Sequence, residues 1–273
     1  MGNRPDQMWN GDLYEASTAL HFAVVIRNVR LTKTLLDMKA NITIPCSTLL
    51  WRTIDSEELL QKVSYFQRVF KDYFCHFGPA FPMFLAFLQN DADTCKLLVE
   101  HGAGREAMII DSDTDSNVMS ILHFAAADPT ADCRQWQCLF DRFREYIDEP
   151  GPRRYKLTPL HVALMSNCIQ GMQIVVETRA DKEARNSASH TPLSMGIMGH
   201  PSHANADSGT FEKHTRCLRK FVDLGGSVNP EGDSSLGIAV QHYARFPVDN
   251  PLMRQVIYFL LEHHVDINRP LFD

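Results

Sequence analysis

Asp111, Asp113 and Asp115 alternate with Ser112, Thr114 and Ser116 and run into Asn117, which puts oxygen-bearing side chains where the first half of a calcium loop needs them. The second half fails that chemistry. The sixth place is Ser116, where the sharp turn asks for glycine, and the twelfth is Leu122, where a bidentate glutamate closes the shell. The three aspartates therefore read as part of an elongated surface hairpin. His200 and His203, with His214 nearby, are the other apparent ligands. Zinc usually takes four donors on rigid elements, and no Cys-x-x-Cys accompanies them, so they read as loop histidines. His263-His264 sits where cationic side chains favour a helix C-terminus. Gly232-Asp233-Ser234-Ser235-Leu236 lacks the Gly-x-Ser-x-Gly elbow of a serine hydrolase, and Ser234 suits a helix cap instead. The sequence carries no phosphate-loop, dinucleotide or His-Glu-x-x-His motif. No cofactor or metal is expected. Nucleophilic cysteine–histidine pairs need only be neighbours in space, so the sequence leaves them open.

The elements that must position these residues announce themselves in a recurring six-residue pattern. Thr158-Pro159-Leu160-His161-Val162-Ala163 is its clearest copy. Thr18-Ala19-Leu20-His21-Phe22-Ala23 lacks only the proline, Ser120-Ile121-Leu122-His123-Phe124-Ala125 keeps the Leu-His-x-Ala core, and Thr191-Pro192-Leu193 begins well before Ser194 replaces the histidine. Phe81 to Ala86 and Ser234 to Ala239 are fainter copies. A second apolar run at helical spacing follows each: Leu31 to Met38, Cys95 to Glu100, Trp136 to Phe143, Met172 to Thr178, Cys217 to Leu224 and Val256 to Glu262. Most runs end in turn formers, as in Gly225-Gly226-Ser227-Val228-Asn229. Threonine at the start suits a helix cap, and proline beside it forfeits only a donor that the first turn leaves without a partner.

This pattern resembles the ankyrin repeat, whose signature is Thr-Pro-Leu-His-x-Ala. The resemblance runs from about residue 12 to the C-terminus. It implies an all-α fold, an ankyrin-repeat solenoid of stacked helix-turn-helix units joined by hairpin loops, as a single domain over residues 1–273. The repeats fall at about 12–44, 79–106, 117–149, 155–186, 188–229 and 232–268, with 45–78 an inserted helical segment or a degenerate repeat. It further implies that His21, His123 and His161 tie helix to turn through hydrogen bonds and take no part in catalysis.

Spacing locates the irregularities. The copies start at residues 18, 81, 120, 158, 191 and 234, so the steps are 63, 39, 38, 33 and 43 where about 33 is the norm. Within the longest step Leu59, Leu60, Val63, Phe66, Val69, Phe70 and Phe74 predict one amphipathic helix between Ile54 and Phe77, opened by Asp55 or Ser56, with its aromatic stripe packed on the array. Enlarged helix-to-helix turns at 128–132, 199–209 and 246–251 account for other excesses.

The 44% hydrophobic content over 273 residues suffices for a core shared between stacked neighbours. No apolar run reaches membrane-spanning length, and Met1 to Gly11 lacks the apolar core of a signal peptide, so no membrane insertion is expected. Seven scattered cysteines suit a reducing cytoplasmic or nuclear compartment. Acidic residues outnumber basic ones 13 to 5 between positions 81 and 150, leaving no concentrated basic surface there to meet a phosphate backbone. No nucleic-acid partner is expected.

The resemblance implies a non-enzymatic interaction module. A protein partner, whose identity the sequence does not name, would meet the concave face and the inter-repeat hairpins. Arg185, Asn186, Ser187, Ala188, Ser189 and His190 lie at or near one hairpin tip on this mapping, and Asp111, Asp113 and Asp115 occupy another. The alternative is an enzyme, or a direct enzyme regulator, whose active or inhibitory site is built from the inserted segments. At the C-terminal end Val256, Ile257, Phe259 and Leu260 leave little room for the polar outer face of a terminal repeat. A longer array, or association through this apolar last repeat, is therefore expected.

Overall fold

The computed structural model describes residues 17–46, 57–70, 81–110, 119–128, 133–151, 154–199, 208–244 and 251–270. They belong to two compact segments, residues 1–121 and 122–273.

In the first segment α1 (Ala19–Val25) and α2 (Val29–Asp37) form a pair, as do, after α3 (Glu57–Val69), the helices α4 (Pro82–Leu88) and α5 (Ala92–Glu100). Like packs on like: α1 on α4 and α2 on α5. Each pair turns within three residues, one of them, Arg27 or Asn90, in the left-handed region. The next residue caps the second helix, with Asn28 and Asp91 accepting the N–H of Leu31 and Thr94 at 3.0 Å. The two turns are tied together, the Gln89 amide donating to the Val25 carbonyl at 2.9 Å and the Arg27 guanidinium to the Gln89 carbonyl.

The helix predicted inside the longest step is present as α3, Glu57–Val69; Ile54, Asp55, Ser56, Phe74 and Phe77 lie outside the described residues. Its stripe of Leu59, Val63, Phe66 and Phe70 is buried, whereas Leu60 faces outward. The Phe66 ring lies 5.9 Å from that of Phe87. Lys62 is buried with this stripe, its ammonium donating to the Phe87 carbonyl at 2.9 Å and to Asn90 Oδ1 at 2.7 Å while lying 4.0 Å above the Phe87 ring. After the short helix α6 (Arg105–Met108), strands β1 (Ile109–Ile110) and β2 (Met119–Ser120) pair antiparallel, Ile109 opposite Ser120 and Ile110 opposite Met119.

The second segment begins inside α7 (Ile121–Ala126) and continues through a 3-10 turn (Cys133–Trp136) into α8 (Gln137–Arg142). Then come α9 (Pro159–Met165) with α10 (Ile169–Glu177), α11 (Pro192–Met198) with α12 (Ser208–Asp223), and α13 (Ser235–Tyr243) with α14 (Pro251–Glu262). First helices stack as α9, α11 and α13, and second helices as α10, α12 and α14. Two helices start earlier than their apolar runs. Ser208 and Gly209, expected in the loop of the fifth repeat, open α12, and α14 starts at Pro251. No helix among the described residues is long and apolar enough to cross a membrane.

Five of the second helices, α2, α5, α10, α12 and α14, are followed by a left-handed residue, whereas α8 ends at Phe143 with φ −107°. Lys39, Gly102, Arg179, Gly225 and His264 are left-handed, and two residues further on Asn41, Asp181, Ser227 and Asp266 accept the N–H two positions ahead at 2.8, 2.9, 3.0 and 3.0 Å. This turn recurs where the six-residue motif has faded. The last repeat corrects one expectation: Val256, Phe259 and Leu260 face inward, because they are the side of α14 that packs on α12 and α13. The apolar character of the outer side comes from Tyr258, Leu261 and Ile267, with Tyr258 at 62% and Ile267 at 66% of full exposure.

Candidate functional site

Two of the motif histidines, His123 and His161, fasten their first helix to the hairpin that leads into the next repeat, while His21 Nδ1 meets the Thr18 N–H at 3.1 Å within its own cap. His161 Nδ1 accepts the Thr158 N–H at 3.1 Å and lies 2.9 Å from Thr158 Oγ1, a reciprocal box in which histidine stands at the place more often held by glutamate. With Nδ1 accepting, the ring proton sits on Nε2, which donates to the His190 carbonyl at 3.1 Å. Burial pushes the His161 pKa down to about 4, so the ring stays neutral and keeps both roles at neutral pH. In the preceding repeat His123 Nε2 meets the Leu157 carbonyl at 2.9 Å.

The fifth repeat makes the same connection with different chemistry. Ser194 is too short to reach the next hairpin's backbone. Asp233 instead turns its carboxylate inward, and Oδ2 accepts from Ser194 Oγ at 2.6 Å and from the Thr191 N–H at 3.3 Å. Leu157, His190 and Asp233 each precede the cap of the following first helix, so the latch falls on one position three times. Ser234 caps α13 as its sequence suggests, accepting the Gly237 N–H at 3.1 Å.

These latches hold two hairpins side by side. One is closed by the Gly151 N–H on the Leu157 carbonyl at 2.8 Å, the other by the Asn186 N–H on the His190 carbonyl at 3.1 Å, and the Ser187 N–H donates across to the Tyr155 carbonyl at 2.9 Å. Asn186 shapes the second tip: its Oδ1 accepts the N–H of Ala188 at 2.9 Å and of His190 at 3.0 Å. Arg185 Nη1 donates to the Ser189 carbonyl at 2.7 Å, and Ser189 takes the left-handed conformation that reverses the chain. Side chains behind the hairpins set their register. Asp148 accepts the Asp181 N–H at 2.9 Å, Glu183 the Ser227 N–H at 3.1 Å and Asn229 the Asp266 N–H at 2.7 Å. Partial burial raises the carboxyls of Asp148 and Glu183 above their ordinary range.

Of the residues singled out in the sequence, Arg185, Ser187, Ala188 and Ser189 are exposed on one tip. Asn186 and His190 are half-buried and belong to the hairpin's internal bonding. Asp111, Asp113 and Asp115 fall between β1 and β2 in sequence, outside the described residues, as do His200 and His203. His214 is buried on α12. Sequence reasoning passed over Arg154 and Lys156, both exposed on the neighbouring hairpin. The signal was there: a basic run between Gly151-Pro152 and Leu157, just ahead of the clearest motif.

No family model and no curated protein matches the chain. Solved structures do. The ankyrin repeat domain of Bcl-3, described as a member of the IκB protein family, superposes with a TM-score of 0.58 at 16% identity, covering 92% of this chain and 87% of that one. The human ASB11 ankyrin repeat domain gives 0.54 at 16% identity, covering 93% and 87%. The ankyrin repeat protein EF0377 gives 0.55 at 14% identity, covering 90% and 97%. At such identities the likeness is one of fold.

Proposed function

We propose that this chain, which has the ankyrin-repeat fold, is a non-enzymatic module that binds a protein partner through its inter-repeat hairpins and the adjoining concave face. Ankyrin-repeat domains generally mediate protein–protein interaction. The observation that carries the reading is the pair of hairpins at 151–157 and 186–190, joined backbone to backbone and internally braced by Asn186 and Arg185. Bracing matters because a tip ordered in advance loses little conformational entropy on binding. The exposed side chains there are Arg154, Lys156, Arg185, Ser187, Ala188 and Ser189, three cations beside small residues, a surface suited to an acidic segment of a partner. Asp111, Asp113 and Asp115, which lie outside the described residues, are proposed as partner contacts from their sequence alone.

Affinity capture from the native cell extract, followed by titration of the captured partner, tests this. Arg185→Glu and Lys156→Glu are each expected to weaken binding about tenfold or more, with a steeper loss at low salt, while circular dichroism stays unchanged. Binding that survives both changes, together with charge reversal at Asp111, Asp113 and Asp115, would sink the proposal.

A further inference from the structure

Within residues 122–273 the sulfurs of Cys133 and Cys168 lie 3.6 Å apart, and neither is in a disulfide. Cys133 opens the 3-10 turn that leads into α8, and Cys168 is the N-cap residue of α10. Both sulfurs lie 3.3 Å from the Asp128 carbonyl oxygen, and the Cys133 N–H donates to Gln170 Oε1 at 2.9 Å, so the two segments are held together beside the thiols.

The cap position makes Cys168 unusual. In the other repeats with a three-residue turn this place holds Asn28 and Asp91, whose oxygens accept the N–H three residues on. Cys168 has no oxygen at this place, and its side chain makes no capping hydrogen bond. Room there is short: a Cβ on Gly171 would collide with the Ala126 carbonyl and come within 3.0 Å of Cys168 Sγ. The hydrogen bond from Cys133 lowers the Cys168 thiol below its usual range; burial opposes it, and the Gly171 N–H adds to the lowering. Cys217 behaves in the opposite way, burial pushing it up to about 12. Cys168 retains 9% of its exposure against 1% for Cys133, which ranks the two by access.

We propose that Cys168 and Cys133 constitute a peroxide-oxidised dithiol site, with Cys168 the attacked thiol and Cys133 the resolving one. It operates separately from the hairpin interface. The Cys168 thiolate attacks one oxygen of hydrogen peroxide; the O–O bond breaks, the departing hydroxide takes up the thiol's proton as water, and Cys168 becomes a sulfenic acid. The Cys133 thiolate then attacks that sulfur. An S–S bond forms, the S–O bond breaks, and the second hydroxide leaves as water with the Cys133 proton. Two thiols are oxidised and one peroxide is reduced to two waters. The sulfurs close from 3.6 Å to about 2.05 Å, a movement within reach of side-chain rotation and a small shift of the turn. The product staples the third repeat to the cap of α10.

The test uses the whole chain, reduced and then exposed to graded hydrogen peroxide, alkylated, and mapped by non-reducing proteolysis with mass spectrometry. A cross-linked peptide pair containing Cys133 and Cys168, lighter by two hydrogens and separated by dithiothreitol, is the expected product. It should appear before Cys138, the more exposed thiol, is modified. Cys133→Ser should leave a Cys168 sulfenic acid that dimedone traps, and Cys168→Ser should slow oxidation of Cys133 about tenfold or more. Three results overturn the proposal: a cross-link to Cys217 formed in place of the Cys133–Cys168 link, oxidation of Cys168 no faster than of Cys138, or both thiols remaining open to alkylation at peroxide levels that oxidise free cysteine. Mapping the unsubstituted chain decides the matter even where a variant folds poorly.

Discussion

His161 serves three groups with one uncharged ring: the Thr158 N–H and hydroxyl through Nδ1 and the His190 carbonyl through Nε2. Its folded pKa of about 4 lies below the ordinary 6.5, so an acid range exists in which the unfolded chain accepts a proton that the folded one refuses. The contribution is whole above pH 6.5 and is lost as pH falls toward 4, by at most ~1.4 kcal/mol per pH unit and ~3 kcal/mol in total. Asp148 and Glu183 work in the opposite sense, since carboxyls raised in the folded state bind protons there first and gain stability as pH falls. The difference between wild type and His161→Asn therefore isolates the histidine. Urea midpoints at pH 7 and pH 4.5 should show the variant less stable by ~2 kcal/mol at neutral pH and less sensitive to acid. Equal acid sensitivity in both proteins would contradict the neutral latch. The role of His161 is legible in the motif, whereas that of Asp233 is not. An aspartate before a serine cap looks like an ordinary turn residue, and only the short reach of Ser194, 39 positions earlier, gives it a buried task.

Helix α3 shows what an element needs beyond its pattern. The spacing of Leu59, Val63, Phe66 and Phe70 sufficed to predict a helix and its packed face, because an apolar stripe at helical period has few other uses. Lys62 escaped notice for the same reason: a lysine beside such a stripe is ordinarily assigned to water. The fold brings it instead against the C-terminal end of α4, where the Phe87 carbonyl and Asn90 side chain meet its ammonium and the Phe87 ring lies beneath. Lys62→Ala removes both hydrogen bonds and the packed stem, and should destabilise the protein by ~2–4 kcal/mol, measured as a lowered urea midpoint. A change under ~0.5 kcal/mol would mean that the aromatic contacts alone hold α3 in place.

Stacked repeats pass stability chiefly to their neighbours, so damage at one place should be felt locally. Hydrogen exchange of the Lys62→Ala protein should accelerate in α3 and α4 while the amides of α9 and α11 keep their protection. A uniform loss across all helices would contradict that picture. The sequence by itself determined the helix pairs, their caps and the class of fold. Capping, helical periodicity and left-handed turn residues act over three to five positions, and these signals repeat even when the motif fades, as at Asn41, Asp181, Ser227 and Asp266. The tertiary structure alone decided which residues meet across repeats: Ser194 with Asp233, Lys62 with Asn90, the Ser187 backbone with that of Tyr155, and Cys133 with Cys168. Those partners lie from 28 to 39 positions apart, over steps lengthened unequally by insertions, so no fixed spacing could couple them. They find one another because stacking first helix on first helix brings each hairpin and each cap against its neighbour, a consequence of packing that no local signal carries.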